Sequence, residues 1–260
     1  MYRLRFLNGC LNLDRLTQYE IKNTCCMYRS SFLNRYFNLD RLTQYATKIM
    51  SKPIALTQSL LEQAIHELTA RDADLARVHA DLGAPPMWER APGFPTLVHM
   101  ILEQQVSLAS ARAAFDRLRA LVEPLTPQGF LELDDETLRG VGFSRQKTGY
   151  GRHLAQAILG GEFALEELHR HHDDEARRQL MRLKGIGAWT ADVYLLMVLR
   201  RPDVWPIGDR ALVVAAREVK RLPADPTSAE MTALGETWRP WRAVAARLLW
   251  HHYLNTPRVR

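Results

Sequence analysis

The chain has 260 residues, with 35 Lys or Arg against 29 Asp or Glu, and 47% of it is hydrophobic. That is ordinary globular composition, long enough to bury a core, and no apolar run reaches the about 18 residues of a membrane span, so a soluble protein is expected. The net charge of +6 is concentrated at one end: residues 1–49 hold eight basic and three acidic residues, so the remainder is nearly neutral and its bulk charge makes no case for a nucleic-acid partner.

In chain order, the first 49 residues contain a duplication. "MYRLRFLNGCLNLDRLTQY" from Met1 and "MYRSSFLNRYFNLDRLTQY" from Met27 agree at fourteen of nineteen positions with an offset of 26. Two copies are too few for a solenoid. Met50 then begins a start-like "MSKPIALTQ", and residues 1–49 are expected to be a non-catalytic extension or a misassigned start; a targeting segment or a partner-binding arm is the alternative. All three cysteines, Cys10, Cys25 and Cys26, lie in this segment. The remainder therefore has no cysteine for a disulfide, a thiol nucleophile, a zinc site or an iron–sulfur cluster. No secretory signal pattern opens the chain, and a cytoplasmic protein is expected.

From Thr57 onward the apolar residues recur at helical spacing, and the expected class is all-α. Residues 57–83 read as helical and end in glycine, and residues 84–95, with four prolines in twelve residues, read as a loop. Residues 96–122 read as two helices, with Ser107 as N-cap of the second; 126–143 hold a short helix; 144–161 hold another, capped by Ser144. "DDEARRQLMRL" leads into "LKGIGAWTADVY", residues 183–194, and a strongly apolar helix follows. "PDVWPIG" breaks that helix, "DRALVVAAREVKRL" and "TSAEMTALGETW" give two more, and Pro240 is expected in the first turn of the last, "PWRAVAARLLWHHYL".

Two stretches carry chemistry. Gly185 and Gly187 allow a tight helix–helix turn and a close approach by a partner's backbone. The N–H groups that open the next helix, from Ala188, then suit a phosphate, with Lys184 and Arg182 as flanking contacts. The backbone carbonyls of Met181, Leu183 and Ile186 in the same turn are candidates to hold a sodium or potassium ion. Taken alone, glycines two apart are equally an ordinary helix cap. The second stretch is "WPIGDRAL", residues 205–212, where Asp209 begins an apolar helix twenty residues after Trp189. A plain N-cap aspartate is the simple reading, but one helix and a loop are enough to bring the carboxylate back beside the hairpin.

"LKGIGAWTADVY", "WPIGDRAL" and "WRPWRAVAARLLW" together resemble the helix-hairpin-helix DNA glycosylases with a Gly/Pro-rich loop and a required aspartate. Among these the chain looks most like the 3-methyladenine DNA glycosylase II family, in a compact branch without the N-terminal β-rich domain. The resemblance covers about residues 57–255. It implies two helical lobes with a cleft between them: a helical barrel over 93–203 containing the hairpin 183–187, and a lobe joining 50–92 to 204–260. It implies Asp209 as the catalytic residue, and it places Trp189, Trp250 and Gln104 at the substrate. Gln105 falls where a wedge residue fills the gap left by a flipped nucleotide, and Lys184, Gly185, Gly187 and Ala188 face DNA. For each tryptophan core packing is the alternative, preferred for Trp205, Trp238 and Trp241. For the glutamine pair, a solvated helix face is equally open.

In strand-cutting relatives the position of Trp189 is a lysine, and an indole forms no Schiff base. The implied enzyme is monofunctional, needs no cofactor, acts on alkylated purines in double-stranded DNA and works as a monomer near the nucleoid. A cationic alkylated base leaves without a second carboxyl acid, so one carboxylate suffices to stabilise the sugar and activate water. A glycosylase for deaminated or oxidised bases is the near alternative, and a non-catalytic DNA-binding module the distant one. Arg242 is a candidate anchor for the last helix, and Lys147 with Arg145 a second phosphate anchor. "SRQK" at Ser144–Lys147 and "HRHHDDE" at 169–175 mimic a serine-acylase pair and a metal cluster, but neither has its companion motifs.

Overall fold

The computed structural model describes residues 53–257, so the duplicated segment 1–49 and the expectations attached to it lie outside the described residues. These residues form twelve α-helices and one 3-10 helix, with no strand among them. The all-α expectation holds, and the corrections are local.

The pattern over 57–83 is two helices. α1 (Gln58–Arg71) is capped by Thr57, and α2 (Ala73–Leu82) starts afresh at Asp72, whose carboxylate accepts from the N–H groups of Asp74 and Leu75. A capping aspartate in extended backbone overrides an unbroken apolar period. α3 (Phe94–Glu103) begins inside the stretch read as loop, with Pro95 in its first turn, where no N–H is needed. α4 (Leu108–Leu121) is capped by Ser107 as expected. Residues 126–143 hold two short helices, α5 (Pro127–Glu132) and α6 (Asp135–Val141), capped by Thr126 and Asp134. α7 (Arg145–Leu159) is capped by Ser144, whose hydroxyl accepts from Lys147 N–H, so this serine is a cap. The 3-10 helix Leu165–Arg170 leads into α8 (Asp173–Met181), which carries Asp173, Asp174 and Glu175 in its first turn, where acidic groups favour the helix dipole. α9 (Ala188–Met197), α10 (Arg210–Val219), α11 (Ser228–Glu236) and α12 (Arg242–Asn255) complete the order. The last begins after Trp241, so Pro240 precedes the first turn and does not lie in it.

The helices bury two cores. One gathers side chains from α3 to α9, including Leu97, Ile101, Phe130, Leu154, Leu180 and Leu195. The other gathers α1, α2, α10, α11 and α12, including Leu61, Leu75, Leu212, Trp238 and Leu249. Each fully buried Leu contributes about 2 kcal/mol by leaving water. α9 belongs to both: Val193, Tyr194 and Leu195 face the first core and Leu196 the second. That double burial explains why α9 has no solvated polar face, with Thr190 and Asp192 buried along with its apolar side chains. Trp205 and Trp238 stack edge to face in the second core and donate to Met231 O and to Asp72.

Candidate active site

The hairpin joins α8 to α9. Gly185 has φ +85°, and a Cβ there would lie 2.2 Å from the Tyr150 ring, so both backbone and packing require glycine. Gly187 has ordinary φ and open space around a Cβ. It is the N-cap of α9, and no side chain caps that helix, whereas Ser, Thr or Asp caps eight of the others. Lys184, Gly187 and Ala188 are exposed. The first amides of α9 are thus open to an outside anion.

Asp209 follows Gly208, whose φ of +87° turns the chain into α10. Asp209 is 8% exposed, and its carboxylate accepts three N–H groups. Leu212 N–H reaches Oδ1 at 2.8 Å, Trp189 Nε1–H reaches Oδ2 at 2.8 Å, and Trp250 Nε1–H reaches Oδ1 at 3.2 Å. Trp189 packs on the first core and Trp250 belongs to the second, so the carboxylate marks their seam. No Lys, Arg or His bonds to it among the described residues; all three donors are neutral. This is an acceptor held in place with its negative charge unspent.

The remaining predicted residues divide. Gln105 is exposed with φ +58°, an uncommon conformation for a residue other than glycine, at the turn between α3 and α4. Gln104 donates to Gly185 O at 2.7 Å and to Thr190 Oγ1 at 3.3 Å, so its amide nitrogen braces that turn against the hairpin. Lys147 does not extend to solvent as a phosphate anchor: its Nζ donates to Leu102 O at 2.7 Å, and burial draws the ammonium below the usual lysine range. Arg145 is exposed at the start of α7. Arg242 anchors α12, bonding Asp203 Oδ1 at 2.9 Å and Asp203 O at 2.8 Å.

For the cation, Leu183 O accepts Ile186 N–H at 3.1 Å and keeps its second lone pair, which fits a carbonyl ligand. The His, Asp and Glu residues of 169–175 form no metal-binding group among the described residues. No described helix is long and apolar enough to cross a membrane.

Sequence reasoning missed two groups. Trp88, in the proline-rich loop, packs edge to face on Trp250 with centroids 6.4 Å apart. The loop has no periodicity to mark an inward residue. Arg247 is fully buried. Its signal was present: it interrupts a run, Ala243 to Trp250, that is buried on every face.

Residues 98–240 match the family described as "HhH-GPD superfamily base excision DNA repair protein". Gln104, Trp189 and Asp209 fall inside that match and Trp250 beyond it. The chain is 31% identical to DNA-3-methyladenine glycosylase 1 of Schizosaccharomyces pombe, over 62% of this chain and 73% of that protein. It is 29% identical to the putative DNA-3-methyladenine glycosylase YfjP of Bacillus subtilis, over 59% of this chain and 56% of that one. In fold it is similar to the S. pombe 3-methyladenine DNA glycosylase Mag1 solved in complex with abasic DNA, with 28% identity and a TM-score of 0.70. That similarity covers 76% of this chain and all of the other.

Proposed function

The chain belongs to the HhH-GPD superfamily of base excision DNA repair proteins, and on that premise we propose that it is a monofunctional DNA glycosylase releasing alkylated purines from duplex DNA. The observation that carries the reading is the Asp209 carboxylate, held at the seam of the two cores by two indoles and one amide.

The hairpin amides bind a phosphate of the duplex, and Gln105 enters the stack as the damaged nucleotide turns out. The cationic base meets Trp189 and Trp250, whose electron-rich faces attract it. The bond from sugar C1′ to the base nitrogen breaks, and its electron pair goes to the base and neutralises it. Positive charge develops on the sugar, and the Asp209 carboxylate, paired with no cation, stabilises it. Water attacks C1′ and passes its proton to Asp209. Trp189 offers no amine, so the strand is left uncut at an abasic site. This chemistry calls for no redox or organic cofactor. The carbonyls of Met181, Leu183 and Ile186 are assigned to a sodium or potassium ion at the hairpin. The enzyme acts as a monomer on nucleoid DNA in the cytoplasm.

The test is chromatography of free bases released from methylated duplex DNA, with borohydride added in a parallel reaction. Free 3-methyladenine or 7-methylguanine with no trapped adduct is expected. A trapped protein–DNA adduct would overturn the monofunctional assignment. Binding without release from alkylated, deaminated or oxidised duplexes would make the chain a binding module.

A further inference from the structure

Arg247 lies in α12 with no exposure, and no carboxylate pairs with it among the described residues. Its guanidinium donates to three backbone carbonyls. Nε reaches Met87 O at 3.0 Å, one terminal nitrogen reaches Leu196 O at 2.9 Å, and the other reaches Ala243 O at 3.3 Å. The three acceptors lie on three elements, and each element carries one indole. Met87 precedes Trp88 in the proline-rich loop, Leu196 is in α9 with Trp189, and Ala243 is in α12 with Trp250.

Trp88 closes the set. Its ring packs edge to face on Trp250 and, with centroids 6.2 Å apart, on His251. Its backbone is left-handed, with φ +45°, which a bulky residue keeps only where its surroundings impose it. Here they do. Arg247 holds the carbonyl just before Trp88, Arg90 N–H bonds Met197 O at 3.0 Å just after it, and Arg90 forks onto Glu103 at 2.8 and 2.9 Å.

A lone buried guanidinium is costly, and burial brings this one down to about 10. An apolar side chain would fill the same space at less cost. What it would not do is donate to three carbonyls in one fixed fork. The Leu196 carbonyl is also at the negative end of α9, where a cation is favoured.

We propose that Arg247 is a positioning residue of this site: it fixes Trp88, Trp189 and Trp250 relative to one another and so completes a frame of three indoles, two of which bond Asp209. The proposal rests on the glycosylase reading for the meaning of the frame, but the frame itself can be tested without substrate.

Arg247→Met and Arg247→Lys are compared with the unaltered full-length chain. Arg247→Met relieves the buried charge but takes the donor from three carbonyls, so folding is checked first, and both variants are expected to keep the helical circular dichroism at a lower melting temperature. Duplex binding should be unchanged. Single-turnover base release should fall about a hundredfold in the Met variant, the size that a misplacement of about 1 Å can produce, and less in the Lys variant. The indole Nε1–H resonances of Trp189 and Trp250 should shift. Release within about twofold of the unaltered chain, with indole resonances unmoved, would overturn the proposal. Should both variants fail to fold, hydrogen exchange in the unaltered chain decides. The Arg247 Nε–H and the two indole N–H groups exchange in one cooperative opening if Arg247 holds the frame, and independently if it does not. If the unaltered chain releases no methylated base, the glycosylase reading falls while the resonances still judge the frame.

Discussion

Asp192 and Asp209 are almost equally buried, at 4% and 8% exposure, yet their surroundings are opposite. Asp192, inside α9, meets the Arg177 guanidinium, with Nε at 2.6 Å and a terminal nitrogen at 2.5 Å. Asp209, at the start of α10, meets only neutral N–H groups among the described residues, two from indoles and one from the backbone. A carboxylate already matched to a cation has little left to offer a second one. A carboxylate held by neutral dipoles is positioned without being neutralised, which suits a group that must face a cationic sugar. Burial alone does not distinguish the two aspartates; the charge of their partners does.

The largest effect should come from removing the charge on the unpaired aspartate. Asp209→Asn keeps an N-cap acceptor for Leu212 N–H but sets an amide donor against Trp189 Nε1–H, so a stability loss of about 1–3 kcal/mol is expected. Base release should fall about a thousandfold or more, because the general base and the electrostatic partner go together. Duplex binding, read by gel shift, should be retained. A variant that still releases methylated bases at a substantial rate would move the catalytic role elsewhere.

The paired aspartate should behave in reverse. Burial raises Asp192 to about 6, with Arg177 only partly offsetting it. A raised carboxyl favours folding while both states are protonated, and that advantage is lost as pH rises from the ordinary aspartate range through about 6. The stability of the unaltered chain relative to Asp192→Asn should therefore fall between pH 4 and pH 7, by an amount on the order of 3 kcal/mol. Denaturant melts at several pH values check this. The opposite slope would mean that the Arg177 pair outweighs burial. Base release by Asp192→Asn should stay within about threefold of the unaltered chain, since this carboxyl group is not placed at the reacting atoms.

The contrast between these aspartates was only half legible in the sequence. Asp209 stood out because a Gly-Asp pair before an apolar helix fell at a telling distance from the hairpin. The helices followed from apolar period and capping residues, and Ser107 and Ser144 cap where they should. The break at Asp72 was hidden because a cap inside a continuous period is visible only once the backbone leaves the helix. Partners far apart in the chain were beyond reach. Trp250 lies 41 residues from Asp209, and Gln104 lies 81 from Gly185. No sequence pattern therefore signalled that the Gln104 amide bonds the hairpin. Lys147 misled for the same reason, since basic residues near a helix start imply phosphate contact until a buried carbonyl claims them.

The smallest expected effect is also the finest test of how Asp209 is held. Trp189→Phe keeps an aromatic face but removes the N–H that reaches Oδ2 at 2.8 Å, together with part of the ring surface. A hydrogen bond to an ionised group contributes about 1.5 kcal/mol or more, so base release should fall about tenfold or somewhat further. Trp250→Phe removes a longer bond, 3.2 Å, to an oxygen that Leu212 N–H already holds at 2.8 Å, and should cost less. Oδ2 has only Trp189 among the described residues, so the two variants should differ in that order. If they were equal, the indoles would matter through their ring faces alone, and Leu212 would be the group that fixes the carboxylate. If Trp250→Phe cost more, the second core would be what sets the position of Asp209.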